Sequence, residues 1–376
     1  MEYIKFSEFI RSTQYGYTAE ETSMIEGDSK YLRITDIVPY FINKERVPFC
    51  KIDEKKKEKY LVKKDDLLIA RTGATTGYNV VIDNTFNNFV FASYLIRFNY
   101  DKDALSPVFL KYVLKSQQWY GFVNNYIGGS AQPGMNAKVF GKFEIPYFNI
   151  ERQERIASIL IAYDNLIENN NKRIHLLEQM AENLYKEWFV RFRFPGYEDA
   201  EFDNGVPKNW EYSKLINFID VRYGKDHKNI EEGTIPILGS GGIMRYGDRA
   251  LYNGEAVLIP RKGSLNNIMY INGDFWTVDT LFYSIPKIKN IARYLYFTFK
   301  YFDMDSLNSG ASIPSMTTDI IYHLKMRQPD ATVLEMFDEV LKPIYEEMDI
   351  LGKQNDSIKN QRDMLLPRLM SGKLEV

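Results

Sequence analysis

The sequence is poor in the residues that build disulfide frameworks and metal centres. It contains one cysteine, Cys50, and three histidines that lie far apart, at His175, His227 and His323. One cysteine excludes an internal disulfide framework and a cysteine-rich zinc site. Because the histidines are so widely separated in sequence, we do not expect a histidine metal cluster.

A strong net charge and long apolar runs are also missing. No stretch has the about 20 apolar residues that a membrane span needs, and no signal peptide is recognisable, so we expect a cytoplasmic protein without a membrane segment. The formal net charge is −2, whereas free-standing nucleic-acid binders are usually basic. The length of 376 residues is sufficient for two or more domains with sizeable cores.

A long heptad pattern extends from Ile150 to Phe194. It predicts a helix from about Glu151 to Val190, roughly 60 Å long at about 1.5 Å per residue. Its apolar stripe needs a partner helix, and the period predicts a left-handed pair. The predicted seam positions are Ile156, Leu160, Tyr163, Ile167, Ile174, Leu177, Leu184 and Trp188, with a polar interruption at Asn170.

The same spacing returns near the C-terminus. The predicted seam there comprises Phe337, Leu341, Ile344, Met348, Leu351, Ile358, Leu365 and Leu369, with polar breaks at Asn355 and Arg362. Tyr163 and Ile344 are separated by 181 residues, as are Leu177 and Ile358, and Leu184 and Leu365. Two unrelated amphipathic helices are the alternative, but they would not keep a constant register. Pro343 is expected to start the second helix late or to kink it.

The segments outside the helices are also duplicated. The stretch YIKFSEFIR from Tyr3 resembles YSKLINFID from Tyr212, and GGSAQPGM from Gly128 resembles SGASIPSM from Ser309. The order is therefore globule, helix, globule, helix, with predicted boundaries at residues 1–149, 150–194, 195–330 and 331–376.

Two glycine-bent arginine loops are the best candidates for ligand contact. DLLIARTGATTG, from Asp66, matches EAVLIPRKGSLNN, from Glu255, and pairs Arg71 with Arg261. Arginine, threonine and asparagine suit phosphates and base edges. A structural turn whose arginine binds a carboxylate of its own domain is an equally good interpretation. The candidate DNA-binding residues are Arg71, Thr72, Gly73, Thr75, Thr76, Gln132, Asn136 and Lys138 in the first half, and Arg261, Lys262, Gly263, Asn266, Asn267, Ser312 and Thr317 in the second.

Catalytic motifs are missing from the sequence. It has no Walker-type phosphate loop and no Asn-Pro-Pro-Tyr or Asp-Pro-Pro-Tyr methyltransferase motif. The GSGG stretch from Gly239 to Gly242 lacks the rest of a dinucleotide fingerprint, so we predict a turn within a sheet. We expect no catalytic residues and no metal ligands, although a cluster of nuclease carboxylates stays open.

The layout resembles the specificity subunit of type I restriction–modification enzymes over nearly the whole chain. The most specific stretches are DLLIARTGATTG, IPYFNIERQERIASIL from Ile145, LLEQMAENLYKEWFVRFRFPG from Leu176, and QRDMLLPRLMSGKLEV at the C-terminus. The resemblance implies an α+β protein, with two similar mixed α/β target recognition domains joined by two long helices that form an antiparallel coiled coil.

The resemblance also implies partners. Each domain would read one half of a bipartite, asymmetric sequence in double-stranded DNA. Two modification (methyltransferase) subunits would dock on the chain, and restriction/translocase subunits would join them. The chain itself would be non-catalytic and hold no cofactor, with S-adenosylmethionine bound by the modification subunit. A stand-alone DNA-acting enzyme, either a nuclease or a methyltransferase fragment, and a coiled-coil adaptor for protein alone are the alternatives.

Overall fold

The chain forms two compact units. The computed structural model describes residues 2–22, 29–127, 134–307 and 314–376. The first unit comprises Met1–Asn171 and Gly352–Val376, and the second comprises Lys172–Leu351. Both long helices are divided between the units, whereas the prediction assigned each helix to a block of its own.

Short strands and helices precede the first long helix. The strands are β1 (Tyr3–Lys5), β2 (Ile10–Tyr15), β3 (Glu21–Thr22), β4 (Ser29–Leu32), β5 (Phe49–Cys50), β6 (Leu67–Ala70), β7 (Asn79–Val81), β8 (Phe89–Phe91), β9 (Leu95–Tyr100) and β10 (Glu144–Pro146). The helices are α1 (Glu54–Tyr60), α2 (Pro107–Val113), α3 (Gln117–Ile127), α4 (Ala137–Phe140) and the long α5 (Ile150–Tyr185), which continues as a π-helical segment over Lys186–Val190.

The chain after α5 repeats this plan. The strands are β11 (Phe202–Asp203), β12 (Val206–Pro207), β13 (Tyr212–Lys214), β14 (Ile219–Tyr223), β15 (Ile235–Gly239), β16 (Gly242–Gly247), β17 (Tyr252–Pro260), β18 (Met269–Thr277), β19 (Leu281–Pro286) and β20 (Lys325–Arg327). The helices are α6 (Ala292–Tyr301), α7 (Thr318–His323) and the long α8 (Ala331–Met370).

The sheets show the duplication directly. In the first unit β1 pairs with β10, and β2-β9-β6-β7 form an antiparallel sheet beside a second sheet, β3-β5-β4-β8. In the second unit β13 pairs with β20, and the order β14-β19-β17 repeats β2-β9-β6 within a six-stranded sheet. The predicted pair of similar α+β domains is confirmed.

Burial on both faces explains why the sequence of the central strand β6 is apolar throughout. All four of its residues are buried. Leu67 and Ile69 belong to one hydrophobic cluster, and Leu68 and Ala70 belong to another. Because successive side chains point to opposite faces of a sheet, a strand covered on both faces loses the polar alternation of a half-exposed strand.

The long helices pair antiparallel within the first unit. The side-chain amide of Asn170 donates to Asn355 Oδ1 at 3.0 Å, and Arg362 Nη1 donates to Asp164 Oδ1 at 2.7 Å. Ile156 is fully buried, whereas Ile358 and Leu365 are half-buried. Rising numbers in α5 therefore meet falling numbers in α8, as the resemblance implied.

One seam position in α5 differs from the prediction. Tyr163 is half-buried, whereas the next residue, Asp164, is 3% exposed. The seam advances by four residues from Leu160 to Asp164 and by three to Ile167. The apolar spacing does not predict this carboxylate, because a charged residue does not contribute to a pattern of apolar positions. Its partner Arg362 is one of the two polar breaks predicted in the other seam.

The second unit contains the other part of the helix pair. Arg173 Nη2 contacts Glu347 Oε1 at 2.5 Å, and the rings of Trp188 and Phe337 lie 5.6 Å apart. Of the predicted seam residues there, Leu177 and Leu184 pack partly buried against the core, and Ile344 and Leu351 are buried.

The end of α5 anchors it in the core of the second unit. The π-helical segment buries two consecutive residues, Trp188 and Phe189. Phe189 packs on Tyr294 at 4.6 Å and on Phe337 at 4.7 Å between ring centroids. A regular α-helix turns by about 100° per residue, so the wider turn helps both rings to face the core.

Pro343 does not delay the start of the second long helix. Helix α8 begins at Ala331, and both Pro343 and Glu339, whose carbonyl loses its helical hydrogen bond, are exposed. Water can therefore satisfy that carbonyl. None of the described helices is both long and apolar enough to cross a membrane.

Candidate nucleic-acid interface

The two predicted loops of the first unit lie side by side. Arg71 follows β6 directly, and Gly73 adopts a left-handed conformation with φ of 70°. Thr72 forms an antiparallel bridge with Gly134, and the backbone amide of Met135 donates to Arg71 O at 2.9 Å. The second loop thus supports the first through backbone contacts.

The second unit repeats this arrangement. Arg261 follows β17, and Gly263 has φ of 88°. Lys262 forms an antiparallel bridge with Ser315, and the amide of Met316 donates to Arg261 O at 2.9 Å. The same two loops therefore meet in both units, although their side chains differ.

Each arginine lies over a tyrosine that ends a strand of the same sheet, two positions away from the strand that the arginine follows. The guanidinium carbon of Arg71 is 5.0 Å from the ring centre of Tyr15, and that of Arg261 is 5.4 Å from Tyr223. These are cation–π distances. Tyr15 is 46% exposed and Tyr223 is 53% exposed, so each arginine–tyrosine pair reaches solvent.

A glycine follows each of these tyrosines for a steric reason. A β-carbon at Gly16 would lie 2.2 Å from Ala92 O, and one at Gly224 would lie 2.0 Å from Val278 O. Backbone amides fix the same place, since Gly16 N donates to Leu95 O at 3.2 Å and Gly224 N donates to Leu281 O at 3.0 Å. The tyrosine platform is therefore held by close backbone approach.

Sequence reasoning missed the tyrosine–glycine pairs, although the duplication contains a signal for them. TQYGYT, from Thr13, and VRYGKD, from Val221, occupy the same strand end in their units. Their spacing from the aligned first strands differs by one residue. The strand β2 has a register irregularity between Ile10 and Ser12, which accommodates the extra residue as a bulge.

The arginine side chains are not neutralised by acids in the described ranges. Neither Arg71 nor Arg261 forms an ion pair there, and Arg261 Nη1 donates to a backbone oxygen, that of Asp279, at 3.2 Å. Arg71 Nε is buried without a hydrogen-bond partner among those residues. The interpretation in which each arginine binds a carboxylate of its own domain therefore finds no support in the described part of the chain.

Several other candidates have structural tasks. Thr76 is buried and its hydroxyl donates to Gly73 O at 2.8 Å, while Thr75 donates to Thr72 O at 3.3 Å. Asn136 caps α4 by accepting from Val139 N at 3.1 Å, and Thr317 caps α7 by accepting from Ile320 N at 3.3 Å. These contacts shape the loops, and a DNA contact by any of these side chains stays a prediction.

The remaining candidates divide into supports and exposed cations. Asn266 accepts from Met304 N at 3.1 Å, and Asn267 Nδ2 donates to Ser240 O at 2.7 Å. Lys138 and Lys262 are exposed. Gln132 and Ser312 lie outside the described residues.

The chemistry of the two arginine–tyrosine pairs suits the binding of phosphates and base edges. A guanidinium fork held over an aromatic ring can donate two parallel hydrogen bonds to a phosphate or to a guanine edge. Across residues 2–22, 29–127, 134–307 and 314–376, no group of three or more His, Cys, Asp or Glu side chains could hold a metal ion.

Two similar α+β units, each with an arginine–tyrosine pair that reaches solvent, suit a modular DNA-binding protein. The chain is a member of the family described as type I restriction modification DNA specificity domain, which matches residues 27–179 and 207–362. Its function is therefore DNA specificity in type I restriction–modification, which is a non-catalytic role.

Individual relatives support this assignment. The MjaIX specificity subunit of Methanocaldococcus jannaschii is 26% identical over 305 residues, which cover 73% of this chain and 71% of that protein. The HindI specificity subunit of Haemophilus influenzae is 27% identical, covering 84% of this chain and 88% of that protein. A crystal structure of a type I restriction–modification S subunit from M. genitalium has the same fold, with a TM-score of 0.58 at 18% identity, covering 98% of this chain and 95% of that chain.

Proposed function

We propose that each unit reads one half of a bipartite, asymmetric sequence in double-stranded DNA, and that Arg71 and Arg261 make the central polar contacts. The observation that carries this proposal is the repeated arginine–tyrosine pair on a glycine-bent loop. An arginine fork gives directional hydrogen bonds, and the tyrosine beneath it limits the rotamers that the fork can adopt.

Differences between the units favour an asymmetric target. Leu32 O accepts from Ala92 N at 2.9 Å in the first unit, and Leu238 O accepts from Val278 N at 2.9 Å in the second, so these positions correspond. Beyond them the chains diverge. The first unit turns at Arg33, which is paired with acidic side chains, whereas the second forms a glycine-rich hairpin. Unlike surfaces beside like arginines suit unlike half-sites.

Partners complete the proposed activity. The chain has a formal charge of −2, so phosphate contacts by partner subunits would supply much of the DNA affinity. We infer that two modification subunits dock on it, that restriction/translocase subunits join them, and that S-adenosylmethionine binds in the modification subunit. The assembly would act in the cytoplasm.

Methylation mapping tests the proposal. The chain is produced with its modification subunit, and methylated genomic sites are determined for the wild type, Arg71→Ala and Arg261→Ala. Each substitution should relax one half-site, a different one for each arginine, at a cost of about 1–3 kcal/mol for a lost bidentate base contact. Arg71→Lys and Arg261→Lys keep the charge without the fork, so they should restore affinity more than selectivity.

Exposed arginine and lysine residues elsewhere provide the control. Arg11 pairs with Asp101, and Lys208 pairs with Glu201, both at the surface. Arg11→Ala and Lys208→Ala should leave the methylated sequence unchanged, since exposed ion pairs contribute little. Unchanged site selection in both loop variants would contradict the proposal, as would cleavage or methyl transfer by the purified chain alone.

A further inference from the structure

The GSGG stretch forms the turn of a β-hairpin at the edge of the main sheet of the second unit. Strands β15 and β16 form a hairpin in which Gly239 pairs with Gly242, so Ser240 and Gly241 are the whole turn. This confirms the predicted turn. The strand β16 lies at the edge of the six-stranded sheet.

The hairpin touches the arginine loop of the same unit. Ser240 O accepts from Asn267 Nδ2 at 2.7 Å, and Ser240 Oγ lies 3.4 Å from where a β-carbon of Gly263 would be. Gly241 has no side chain, and a β-carbon there would meet nothing within 4 Å. The turn is therefore narrow, open to solvent, and continuous with the surface that presents Arg261.

Met244 extends this surface with an apolar group. Its side chain lies over Gly239, because a β-carbon at Gly239 would be 2.7 Å from Met244 Sδ and 3.6 Å from Val278 Cγ2. Val278 directly precedes Asp279, whose carbonyl binds Arg261. Met244 nevertheless stays 58% exposed, so an apolar side chain stands in water beside the arginine loop.

We propose that Met244 is a specificity-determining residue that contacts the C5-methyl group of a thymine in the half-site read by the second unit. This inference rests on the proposed function. The thymine methyl is the apolar feature that base pairs present in the major groove, and a two-stranded β-ribbon fits that groove. Met244 is unbranched and can adapt to a methyl group better than a branched side chain can.

The chain contains a matched control in the next residue. Ile243 is 56% exposed, close to the value for Met244, and lies on the same strand. Met244 is the extra residue of a β-bulge, because Ile243 pairs with Leu238 whereas Arg245 pairs with Ile237. The contacts assign the two faces: Met244 lies over Gly239 beside Val278, whereas Leu238, the partner of Ile243, belongs to a different hydrophobic cluster from Val278. Ile243→Ala thus removes a similar apolar surface from the other face of the hairpin.

The test uses the chain in complex with its modification subunit and duplexes of the mapped target. The half-site altered by Arg261→Ala is the second unit's, and each of its thymines is replaced in turn by deoxyuridine, which lacks only the methyl group. At one position wild-type binding should fall about fourfold, the worth of one buried methyl group. Met244→Ala should lose a similar factor on thymine DNA and no longer distinguish thymine from deoxyuridine there, while Ile243→Ala should discriminate as the wild type does.

Three results would overturn the inference while leaving the proposed function intact. One is a second half-site without thymine on either strand. Another is Met244→Ala that still discriminates at every position. The third is a Met244→Ala variant that loses affinity equally on thymine and deoxyuridine duplexes, which would indicate that the side chain inserts between base steps. If Arg261→Ala altered neither half-site, the proposed function itself would fail first.

Discussion

Removing the charge of Asp164 should destabilise the first unit strongly. Asp164 is 3% exposed and accepts hydrogen bonds from Tyr112 at 2.8 Å, Lys111 at 3.0 Å and Arg362 at 2.7 Å. It joins α5 to α8 and to the helix α2. Asp164→Asn keeps the shape of the side chain but leaves two cations without their buried counter-ion.

The structure sets the size of the effect. Losing one partner of a buried ion pair costs about 3–5 kcal/mol. The lower end applies here, because Arg362 keeps a contact of 2.8 Å with the exposed Asp363, and the Lys111 side chain is 29% exposed. A loss of about 3 kcal/mol corresponds to a fall in Tm of roughly 6–12 °C for a unit of this size.

Calorimetry measures this change, and hydrogen exchange in α2 locates it. Asp363→Asn is the matched control, because Asp363 contacts the same guanidinium from the solvent side. This substitution should lower the free energy of unfolding by about 0–1 kcal/mol. The double variant Asp164→Asn/Arg362→Met should recover part of the loss, because it removes the buried cation that Asp164→Asn leaves without a counter-ion and keeps an acceptor for Tyr112. The reasoning would be refuted if Asp164→Asn lowered Tm by less than about 2 °C. It would also be refuted if the loss of stability in the double variant equalled the sum of the losses in the two single variants.

The same carboxylate gives a pH dependence. Burial alone would raise the pKa of Asp164, but Lys111 and Arg362 outweigh it and hold the pKa below its usual value. A lowered folded-state pKa stabilises the protein above the unfolded value of about 3.9, and this stabilisation is lost as pH falls through the folded value. Wild type and Asp164→Asn should therefore converge in stability in that acid range.

Two further predictions concern other positions. Gly16→Ala should weaken recognition of the first half-site and Gly224→Ala that of the second, because each new β-carbon would clash with a backbone oxygen. Methylation mapping would measure this change. Gly121→Ala is the control and should leave site selection unchanged, because a β-carbon there meets nothing within 4 Å. Lys115 lies over the Tyr40 ring at 4.5 Å, and burial with the nearby Lys111 lowers its pKa to about 8. Lys115→Met should therefore raise the free energy of unfolding at pH 7. This advantage over the wild type should shrink between pH 8 and about 10.4, because the wild-type lysine loses its proton in the folded state at a lower pH than in the unfolded state. A difference in the free energy of unfolding that stays constant across this pH range would contradict the prediction.

The duplication shows how far the sequence can predict. In α8, Leu341, Ile344 and Leu351 are buried at the predicted spacing, because one face of a helix has a fixed residue period. The loops at Arg71 and Arg261 were predicted as a pair because their sequences match locally. Asp164 was missed, since a buried charge is recognisable only from the partners that surround it.

The sequence alone determined the two seams, the repeat and the family, because periodicity and local motifs are carried by neighbouring residues. Only the tertiary structure decided that Tyr15 and Tyr223 lie beneath the arginines, and that the hairpin carrying Met244 adjoins one of the two loops. Those contacts join residues from different strands. They depend on strand order and close backbone approach, which no local pattern encodes.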